Sequence, residues 1–413
     1  MNIRVEQPCP QCGGAVTLSA ADRLLTCPYC KVKNFLLTGG GPFRYSLPNR
    51  AKDQARLVYA PYLRFKGNIF SVAASGVSHR IVDTTQDGCG LPGLPASLGL
   101  RPQTMSLVRV SSETKGRFLP LAIEAKKVFE KATKLHNLID GNNDSIVYHH
   151  AFIGEIISFI YLPLLIREDG LFDAVLGQPL TASSQALGGV PFQSHWQMKF
   201  LAALCPRCGG NLDGEGDCLV TTCTNCDTAW QIAAHGLERM LCRTILSNKD
   251  EAALHLPFWK IAVRLSTLDI RTFADFIERT NQPMVVRPEW RNQAMQFWIP
   301  AFKLRPEIFL RTGKQITVSQ RQLGTERDLK IKAVANLYPV TLPLNEARQA
   351  IKVMLAFSAA NGPALYSKLP SAEPETIATS LIYLPFQDQH HDWVQSQTGV
   401  AINKSILHFG RTL

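Results

Sequence analysis

The sequence predicts an α+β protein rich in β-strands, built as two tandem copies of one unit. Three observations predict this class. Cysteine pairs recur in two frames of equal spacing, short aromatic-proline motifs follow each frame, and most of the intervening chain has the pattern of strands bounded by turn residues. The 413 residues, of which 46% are hydrophobic, can support two cores. Disorder is therefore expected to be local.

Eight cysteines form the two frames, and each frame has the spacing of a metal-binding ribbon. Each has two Cys-x-x-Cys turns with fourteen residues between them. Such a turn directs two thiolates at one point, and a hairpin that joins two turns completes the tetrahedral sulfur shell that Zn²⁺ accepts. Glycine pairs after the first turn, Gly13-Gly14 and Gly209-Gly210, let the backbone reverse. We therefore expect two zinc ribbons and two structural Zn²⁺ ions per chain, with these ligands: Cys9, Cys12, Cys27, Cys30, Cys205, Cys208, Cys223 and Cys226.

The duplication extends beyond the cysteines. An offset of 196 residues maps the first frame onto the second and also maps Pro61 onto Pro257. Two further matches keep this order at offsets of 180 and 222: Phe118-Leu-Pro-Leu with Trp298-Ile-Pro-Ala, and Ser158-Phe-Ile-Tyr-Leu-Pro with Ser380-Leu-Ile-Tyr-Leu-Pro. Four matches in one order predict a repeated unit of about 200 residues. The expected domains are zinc ribbon 1 at 1–38, α+β domain 1 at 39–195, zinc ribbon 2 at 196–235 and α+β domain 2 at 236–413.

Charge and hydropathy narrow the possible partners. The formal net charge is +11, which favours an acidic partner such as nucleic acid, anionic lipid or an acidic protein. The most apolar stretch, 153–166, has about fourteen residues, whereas about twenty are needed to cross a membrane, so we expect a buried strand pair or helix and no transmembrane segment. Unpaired cysteines without a secretory signal at the amino terminus favour a reducing compartment, and a cytoplasmic location is expected.

Three cysteines fall outside the ribbon frames. Cys218 lies within the second ribbon, but its counterpart at the 196-residue offset is Asp22. Cys89 and Cys242 also align with residues other than cysteine, and Cys242 aligns with Ser46. None of the three is expected to bind a metal. A buried or partly buried thiol is favoured over a catalytic nucleophile, because no neighbouring histidine or cationic pair would activate it.

The secondary-structure pattern predicts hairpins in the first copy and helices in both. Two hairpins are expected: Leu57–Ser75 about a Lys66-Gly67-Asn68 turn, and Ser158–Leu176 about an Arg167–Gly170 turn. Three helices are expected: Pro120–Leu138, Asn345–Ala359, and one that begins with Pro306 in its first turn.

Basic residues provide a candidate nucleic-acid surface. They are spread over several patches, and a solvated face is the favoured interpretation. A surface that contacts phosphates would instead gather them on one face. The candidates of the second copy are Lys314, Arg321, Arg327 and Lys330.

Two other groups of side chains have a structural and a functional interpretation. Aromatic residues in the proline motifs could stack on bases or bind a peptide, but packing in a core is favoured. The segment Asp388-Gln-His-His-Asp392 could bind a metal or carry out acid–base chemistry. Its counterpart Arg167–Gly170 has no imidazole, so a polar hairpin turn is favoured. His149-His150 also lacks a partner at the spacing of metal ligands.

The frame Cys-Pro-Gln-Cys-Gly-Gly … Cys-Pro-Tyr-Cys, followed by an aromatic-Pro-aromatic strand, resembles bacterial proteins described as carrying a transcription-factor-IIB-type zinc ribbon. The segment Phe297-Trp-Ile-Pro-Ala-Phe-Lys is also similar to that group, and the ribbon alone is similar to those of primosomal helicases. The resemblance covers the ribbons and short motifs beyond them. It implies a zinc-ribbon protein that recognises DNA, RNA or protein. No G-x-x-x-x-G-K-[ST] loop occurs, so helicase activity is not implied.

Three function classes follow. The favoured one is a non-catalytic zinc-ribbon binding or scaffold protein within a larger protein assembly, because duplicated domains present two similar surfaces and no catalytic group repeats. The alternative is a nucleic-acid-binding protein that uses its basic surface and ribbons. The third is a metal-dependent hydrolase that uses the Asp388–Asp392 segment. A protein partner is therefore expected, with nucleic acid as the alternative partner.

Overall fold

The chain forms a strand-rich α+β structure, as the sequence predicts. The computed structural model describes residues 3–39, 41–49, 51, 53–99, 106–122, 146–181, 187–245, 254–334, 336–360 and 362–410. Within these ranges the α-helices lie in the second half of the chain: α1 Phe273–Arg279, α2 Pro306–Ser319, α3 Leu344–Ser358, α4 Gly362–Tyr366 and α5 Lys404–Gly410.

The strands of the first half form one large sheet and part of a small one. They are β1 Arg4–Pro8, β2 Ala15–Ser19, β3 Leu24–Thr26, β4 Lys33–Leu37, β5 Phe43–Ser46, β6 Leu57–Ala73, β7 Gly76–Asp87, β8 Leu107–Arg109, β9 Arg117–Phe118, β10 Val147–Arg167, β11 Gly170–Asp173 and β12 Pro179–Leu180. The large sheet has the order β12-β11-β10-β5-β8-β1-β2, and β6 pairs with β10, β7 and β9.

The strands of the second half form a smaller version of this arrangement. They are β13 Lys199–Ala202, β14 Val220–Cys223, β15 Thr228–Ala233, β16 Gly236–Met240, β17 Cys242–Ile245, β18 Leu254–Arg264, β19 Gln296–Pro300, β20 Glu326–Asp328, β21 Glu375–Gln389, β22 Asp392–Val394 and β23 Ala401–Asn403. The main sheet has the order β19-β18-β21-β17-β20, with β22 paired to β21 and β23. Two small sheets, β13-β4-β3 and β14-β15-β16, belong to the cysteine-rich segments.

Strand β6 is continuous where the sequence predicts a turn. Gly67 lies inside β6, opposite Val82 of β7, and the chain reverses only after Ala73. The predicted turn at Lys66-Gly67-Asn68 is therefore wrong. The partner strand β10 is irregular in this region, because its register shifts near Gly154, whose φ is +71°. Glycine within a strand often accompanies such an irregularity. The second predicted hairpin is confirmed, since β10 and β11 flank its turn.

The central strand pairs of the two halves have the same register. Pro61 on β6 lies opposite Tyr161 on β10, and Pro257 on β18 lies opposite Tyr383 on β21. The offsets of 196 and 222 residues found in the sequence map one pair onto the other. Each half also has a parallel strand next to this pair: β5 is parallel to β10, and β17 is parallel to β21.

The strands that pair with the other edges of β6 and β18 show that one of the sequence matches is wrong. Strand β7 is antiparallel to β6, as β19 is to β18, and the amides of Gly88 and Ala301 that follow them donate to the central-strand proline. Strand β9, which contains Phe118, is parallel to β6. The proposed match of the Phe118 and Trp298 motifs is therefore wrong, and β7 is the strand that corresponds to β19. A motif of four residues contains no information about strand direction.

A buried polar residue stabilises the same turn in both halves. The side chains of Asp173 and Gln395 each accept hydrogen bonds from two backbone amides of the following turn. Each turn ends with a glycine whose amide donates back to the carbonyl of that residue, Gly177 at φ +73° and Gly399 at φ +69°. Asp173 is 2% exposed and Gln395 is 0% exposed. These turns also follow the 222-residue offset.

Two predicted helices are confirmed. Helix α3 starts and ends one residue before the predicted Asn345–Ala359, and α2 has Pro306 in its first turn, where a missing amide hydrogen costs no hydrogen bond. The third predicted helix, Pro120–Leu138, lies outside the described residues from residue 123 onward.

Helices α2 and α3 pack against first-half strands and join the two halves. Phe70 on β6 contacts Phe309 on α2, with ring centroids 6.1 Å apart. The amide of Gly154 on β10 donates to the carboxylate of Glu346 on α3. Phe70 belongs to the same buried cluster as the core of the second half. The two halves therefore share one core at this boundary.

The aromatic residues of the proline motifs lie in the core, as the favoured interpretation predicts. Tyr62, Phe258, Trp259 and Trp298 are each at most 3% exposed. The Trp259 indole N–H donates to the carbonyl of Leu342 at 2.8 Å. Burying these rings contributes to folding through apolar area and leaves no ring face for stacking on a base.

Candidate metal centres

The first cysteine cluster lies where two hairpin turns meet. Cys9 and Cys12 lie between β1 and β2, and Cys27 and Cys30 lie between β3 and β4. The Sγ atoms of Cys9 and Cys30 are 3.7 Å apart, as are those of Cys12 and Cys27. All four sulfurs lie within 4.8 Å of one another. The first cysteine of each pair is buried and the second is exposed.

The second cluster has the same geometry. The Sγ atoms of Cys205 and Cys226 are 3.5 Å apart, and those of Cys208 and Cys223 are 3.6 Å apart. Cys205 and Cys223 are again the buried members. Among the described residues, these two clusters are the groups that bring three or more potential metal ligands of the Cys, His, Asp and Glu types together.

Both clusters fit a tetrahedral ion of the size of Zn²⁺. Sulfurs about 2.3 Å from a central zinc ion would be about 3.8 Å from each other. The closest sulfur pairs, at 3.5 to 3.7 Å, agree with this edge length. Four thiolates form a soft ligand set that suits zinc rather than calcium or magnesium. A shell of four protein ligands has no open position, which is the pattern of a structural site.

Equivalent backbone turns support both clusters. Gly13 and Gly209 both have φ +71°, and their amides donate at 2.9 Å to the carbonyl of the first cysteine of their turn. A residue with a side chain would be strained at this φ. The second turn of each cluster also ends in the left-handed region, at Lys31 with φ 62° and Asp227 with φ 59°. All four positions follow the 196-residue offset.

Hydrogen bonds favour the thiolate form of one buried cysteine in each cluster. Burial alone would raise the pKa of Cys27, but backbone amides, above all that of Cys30, lower it to about 6. Burial likewise opposes ionisation of Cys205, while the Arg207 amide and the Thr228 hydroxyl lower its pKa to about 6. Thiolate is the form that binds metal. Burial and the neighbouring cysteine sulfurs raise the pKa of Cys30 to about 12 and that of Cys226 to about 11, so hydrogen bonding alone does not favour the thiolate form of all four sulfurs in either cluster.

In the described part of the chain, hydrogen bonds from polar side chains to cysteine sulfurs are found at the second cluster and not at the first. Thr228 Oγ1 lies 3.1 Å from Cys226 Sγ, and the Trp230 indole N–H donates to the same oxygen at 3.0 Å. Asn225 Nδ2 donates to Cys208 Sγ at 3.4 Å. The sequence analysis did not identify Thr228 and Asn225. A useful signal would have been a short polar side chain within two residues of a ligand cysteine, since such partners orient metal ligands.

The two cysteine-rich segments pack against each other. Strand β13, which leads into the second cluster, pairs with β4 of the first. The amides of Arg23 and Leu24 donate to the carbonyl of Gly216 at 2.6 and 2.9 Å. Their shared core consists of Leu24, Phe35, Leu37, Ala203, Cys205, Leu212 and Cys223. Two ligands of the second cluster therefore lie in the interface between the segments.

The four candidate nucleic-acid residues lie on separate elements. Lys314 on α2 is half-buried, and its ammonium donates to the carbonyl of Phe357 at 3.3 Å. Arg321 follows α2, Arg327 lies on β20, and Lys330 precedes a short 3₁₀ turn; these three are exposed. Lys314 is therefore partly packed against the protein, whereas Arg321, Arg327 and Lys330 contact solvent.

The remaining cysteines are buried or partly buried, as expected. Cys218 is 1% exposed. Burial raises the pKa of Cys89 to about 12 and that of Cys242 to about 12, so neither is an activated nucleophile. The alignment of Cys242 with Ser46 is corrected by the sheet register, because Thr244 on β17 occupies the position opposite Tyr383. The offset between the two halves is therefore 198 residues at this strand, two more than at the cysteine clusters.

The Asp388–Asp392 segment is the hairpin turn between β21 and β22, as the favoured interpretation predicts. Both oxygens of Asp388 accept from the Lys404 ammonium, at 2.7 and 2.6 Å, and Asp392 accepts from the Asn403 amide at 3.0 Å. The segment does not form one of the potential metal-binding groups of the described residues. The contacts of Asp388 and Asp392 therefore agree with a structural role for this segment.

The described residues include no helix with the length and apolar character needed to cross a membrane. The two cysteine clusters and their shared interface are the features that bear most directly on function. The chain matches no protein-family model, no curated protein and no solved structure.

Proposed function

We propose that the chain is a non-catalytic, two-zinc scaffold protein that acts within a larger protein assembly. In this proposal it is a tandem duplication, and each copy is a zinc ribbon followed by an α+β domain. The observation that carries the proposal is the repeated register. Pro61 and Tyr161 are paired as Pro257 and Tyr383 are, and each pair belongs to a half that contains one four-cysteine cluster.

A duplicated unit suits a protein that joins partners. Two related domains in one chain present two related surfaces at a fixed separation. The shared core around Phe70 and Phe309 and the packed ribbons hold the two domains together. Such an arrangement can place two partner molecules in a defined geometry without any chemical step. The resemblance of the ribbons to the transcription-factor-IIB type supports a recognition role of this kind.

Zinc in these sites contributes to folding. Each cluster supplies four cysteine ligands, so a bound ion has no open position for substrate. The buried cysteines of the second cluster lie in the core that the ribbons share, and those of the first cluster, Cys9 and Cys27, lie in the core of the first half. Structural zinc sites of this kind add their binding free energy to folding. The proposed role of zinc is to fix the surfaces that the ribbons present.

Nucleic-acid binding is the alternative function, and one observation favours it. Arg321, Arg327 and Lys330 are exposed on a chain of net charge +11. Binding through phosphate contacts weakens steeply with salt, because each contact releases counterions. Lys314, the fourth candidate, is instead engaged with Phe357. We expect at most weak, sequence-independent binding that disappears near physiological salt.

The test compares both functions on the same zinc-loaded protein. Binding to labelled single- and double-stranded DNA and to RNA is measured from about 20 to about 200 mM salt, a range over which a few phosphate contacts change affinity strongly. In parallel, the tagged full chain is isolated from its native cell with and without nuclease. A partner identified by mass spectrometry is then purified and recombined with the chain. The proposal expects direct, nuclease-resistant binding of that protein.

A matched pair of charge variants decides between the outcomes. One changes Lys314, Arg321, Arg327 and Lys330 to Ala. The control changes to Ala four exposed basic residues elsewhere in the chain: Arg56, Arg167, Lys199 and Arg264. Submicromolar nucleic-acid binding at about 150 mM salt that only the first variant loses would overturn the scaffold proposal and establish the alternative. Equal, weak effects of the two variants agree with general electrostatic attraction.

A further inference from the structure

One side of strand β21 is only partly paired. The other side pairs with β18 along most of the strand. On the partly paired side, β17 covers Leu381–Tyr383 and β22 covers Gln387–Gln389. Residues 375–380 have no strand on this side in the described part of the chain, and we call them the free edge. Four of these six residues are exposed.

The register shows which backbone groups of the free edge point outward. The carbonyl of Pro257 on β18 accepts from the amide of Ala301, which follows β19, so it points away from β21. In an antiparallel ladder, facing residues point their N–H and C=O groups either towards each other or away, in alternation. Tyr383, opposite Pro257, and Thr379, four residues earlier, therefore point away from β18. Tyr383 faces β17, whereas Thr379 has no backbone hydrogen bond on this side among the described residues.

The corresponding edge of the first half is covered. The 222-residue offset maps the free edge onto residues 153–158 of β10. The register shifts at the same place in both ladders, next to Gly154 in β10 and next to Ile377 in β21. The Gly154 amide donates to the carboxylate of Glu346 on α3. Four residues of the covered segment are buried: Ile153, Gly154, Ile156 and Ser158. The segment that covers this edge thus supplies an acidic acceptor to an edge amide.

A groove of about 530 Å³ lies beside the free edge. One wall is formed by residues 378–381 of β21, and another by residues 239–241, where the chain passes from β16 to β17. Leu241 in this wall is 73% exposed, and Ile377 of the free edge is 51% exposed. An exposed strand edge is a template for pairing with another chain, and proteins usually protect it. The groove therefore offers unpaired backbone groups and apolar side chains together.

Basic side chains outnumber acidic ones in the groove. Arg239, Arg243 and Lys260 line it, together with one carboxylate, that of Glu326. The Glu326 oxygens lie 3.3 Å from Arg243 Nη1 and 2.5 Å from Lys260 Nζ. Arg239 is exposed and has no ion pair with a described residue. This excess of positive charge favours acidic residues in a segment that binds here.

The two other carboxylates near the groove already have basic partners. Glu375, at the start of the free edge, lies 3.4 Å from Arg264 Nη1. Asp328 lies 4.0 Å from Arg243 Nε. Neither carboxylate is paired with Arg239, which is therefore the groove cation that an acidic partner would reach first.

We propose that the free edge binds an extended acidic segment of a protein partner, which adds a strand to β21 in line with β17. This inference rests on the proposed scaffold function, because it names where one partner binds. The added backbone pairs with Thr379 and its neighbours, an apolar side chain contacts Leu241, and a carboxylate faces Arg239. Added strands gain affinity from main-chain hydrogen bonds and specificity from pockets for alternate side chains. Six residues of edge span about 20 Å, the length of a typical strand.

The test uses the zinc-loaded full chain and a displayed library of random linear peptides as probe. The enriched peptides are synthesised, and fluorescence anisotropy at about 150 mM salt, a concentration that screens distant charges, measures their affinity. Two further versions of each peptide carry N-methyl groups on one or the other set of alternate backbone amides. Mass-spectrometric hydrogen exchange of residues 375–380, with and without peptide, locates the binding site.

Two variants of the groove are compared with matched controls. Thr379→Pro removes the outward N–H, and a strand edge tolerates proline where the N–H faces solvent. Its control is Ile81→Pro on the outer edge of β7, a strand that pairs with β6 alone among the described strands. Arg239→Glu reverses an exposed charge, so its folding does not depend on a buried position. Its control is Arg311→Glu, at an exposed arginine of α2.

The enriched peptides should alternate acidic and apolar residues. Thr379→Pro and Arg239→Glu should each weaken their binding at least about tenfold, since a main-chain hydrogen bond or a charge contact is lost, and both controls should bind as the wild type does. N-methylation of one set of amides should abolish binding. Residues 375–380 should exchange rapidly in the free chain and slowly with peptide.

Several results would overturn this inference: no enriched peptide, enrichment of basic peptides, equal binding by Arg239→Glu and wild type, or slow exchange of residues 375–380 in the chain alone. If Thr379→Pro fails to fold, Arg239→Glu and the N-methylated peptides decide. A purified native partner that binds the chain directly, but binds equally well to Arg239→Glu and leaves residues 375–380 unprotected, would overturn the free-edge inference and leave the scaffold function standing.

Discussion

The hydroxyl of Thr228 lies 3.1 Å from the sulfur of Cys226, so a side chain outside the four cysteines contacts the second cysteine cluster directly. The same oxygen is 3.6 Å from Cys205 Sγ and accepts from the Trp230 indole. The corresponding residue of the first ribbon is Val32, which has no polar side-chain atom. The two clusters therefore have the same ligands but different surroundings.

Replacing Thr228 with Val is expected to make the second cluster release its metal more readily. Polar neighbours of metal ligands typically contribute about 10- to 100-fold in metal affinity. In a chelator titration we expect the release step of the second cluster to move by about that factor and the release step of the first cluster to stay unchanged. The measurement is zinc release to a chromogenic chelator, with cluster-specific Cys12→Ser and Cys208→Ser variants assigning each step.

The reciprocal change provides the control for this assignment. Val32→Thr places a hydroxyl at the equivalent position of the first ribbon, and Thr222→Val removes a hydroxyl from β14 of the second. The first is expected to retard release from the first cluster, and the second to leave both steps unchanged. An equal effect of Thr228→Val on both clusters would contradict a local role for its hydroxyl.

Loss of the second metal is expected to loosen both ribbons. The sequence alone suggests that each zinc ion stabilises its own half, but Cys205 and Cys223 lie in the core that the ribbons share. Cys223→Ser should therefore remove one zinc equivalent and also speed hydrogen exchange of the β3 and β4 amides, which pair with the second half through β13. Mass-spectrometric hydrogen exchange and elemental analysis measure the two effects.

Cys218→Ser is the matched control, because Cys218 is a buried cysteine of the same ribbon outside the ligand set. It should keep two zinc equivalents and leave β3 and β4 protected. Unchanged exchange in β3 and β4 of Cys223→Ser, together with loss of one zinc equivalent, would show that the ribbons are energetically independent.

The sequence predicts those features that depend on a few neighbouring residues. The two cysteine clusters are identifiable because each Cys-x-x-Cys turn is local and its spacing repeats. The Pro61 and Pro257 motifs give the correct register because each lies within a continuous strand. Features that depend on distant segments are missed. Gly67 has the local pattern of a turn, but pairing with two long neighbouring strands keeps it extended.

Strand direction and interfaces between segments are also inaccessible to local patterns. The Phe118 and Trp298 motifs look alike, yet one strand is parallel and the other antiparallel to its neighbour. The packing of β13 on β4 joins residues about 165 positions apart, and no composition or spacing indicates it. The free edge of β21 becomes visible only when the neighbours on both sides of the strand are known.

Removing Asp83 alone is expected to be strongly destabilising. Its carboxylate accepts two hydrogen bonds from the Arg64 guanidinium, both at 2.8 Å, and the Arg64 side chain is 2% exposed. Asp83→Leu leaves a buried charge without its partner, which typically costs about 3 to 5 kcal/mol of unfolding free energy. The double change Arg64→Met with Asp83→Leu should recover most of this loss. Urea unfolding of the three proteins measures the difference.

An exposed ion pair serves as the comparison for this prediction. Arg291 Nη2 lies 2.6 Å from Glu278 Oε1, but the two side chains are 58% and 46% exposed. Glu278→Ala should change the unfolding free energy by no more than about 1 kcal/mol. If Asp83→Leu has an effect as small as that of Glu278→Ala, the Arg64 guanidinium is not held by this pair.

Lys66 should make stability depend on pH in the alkaline range. Burial, and to a smaller extent Arg64, lowers the pKa of its ammonium from 10.5 to about 8. The folded state therefore disfavours the charged form, and this destabilising contribution is fully present below pH 8 and disappears as the pH rises towards 10.5. The Lys66→Met variant lacks this destabilising contribution. The gain in its unfolding free energy over the wild type should therefore be largest at pH 7 and should decrease steadily up to pH 10.

Urea unfolding at several pH values measures this difference, and Lys199→Met reports the effect of losing an exposed lysine. A difference for Lys66→Met that stays constant from pH 7 to pH 10 would show that Lys66 has an ordinary pKa in the folded protein.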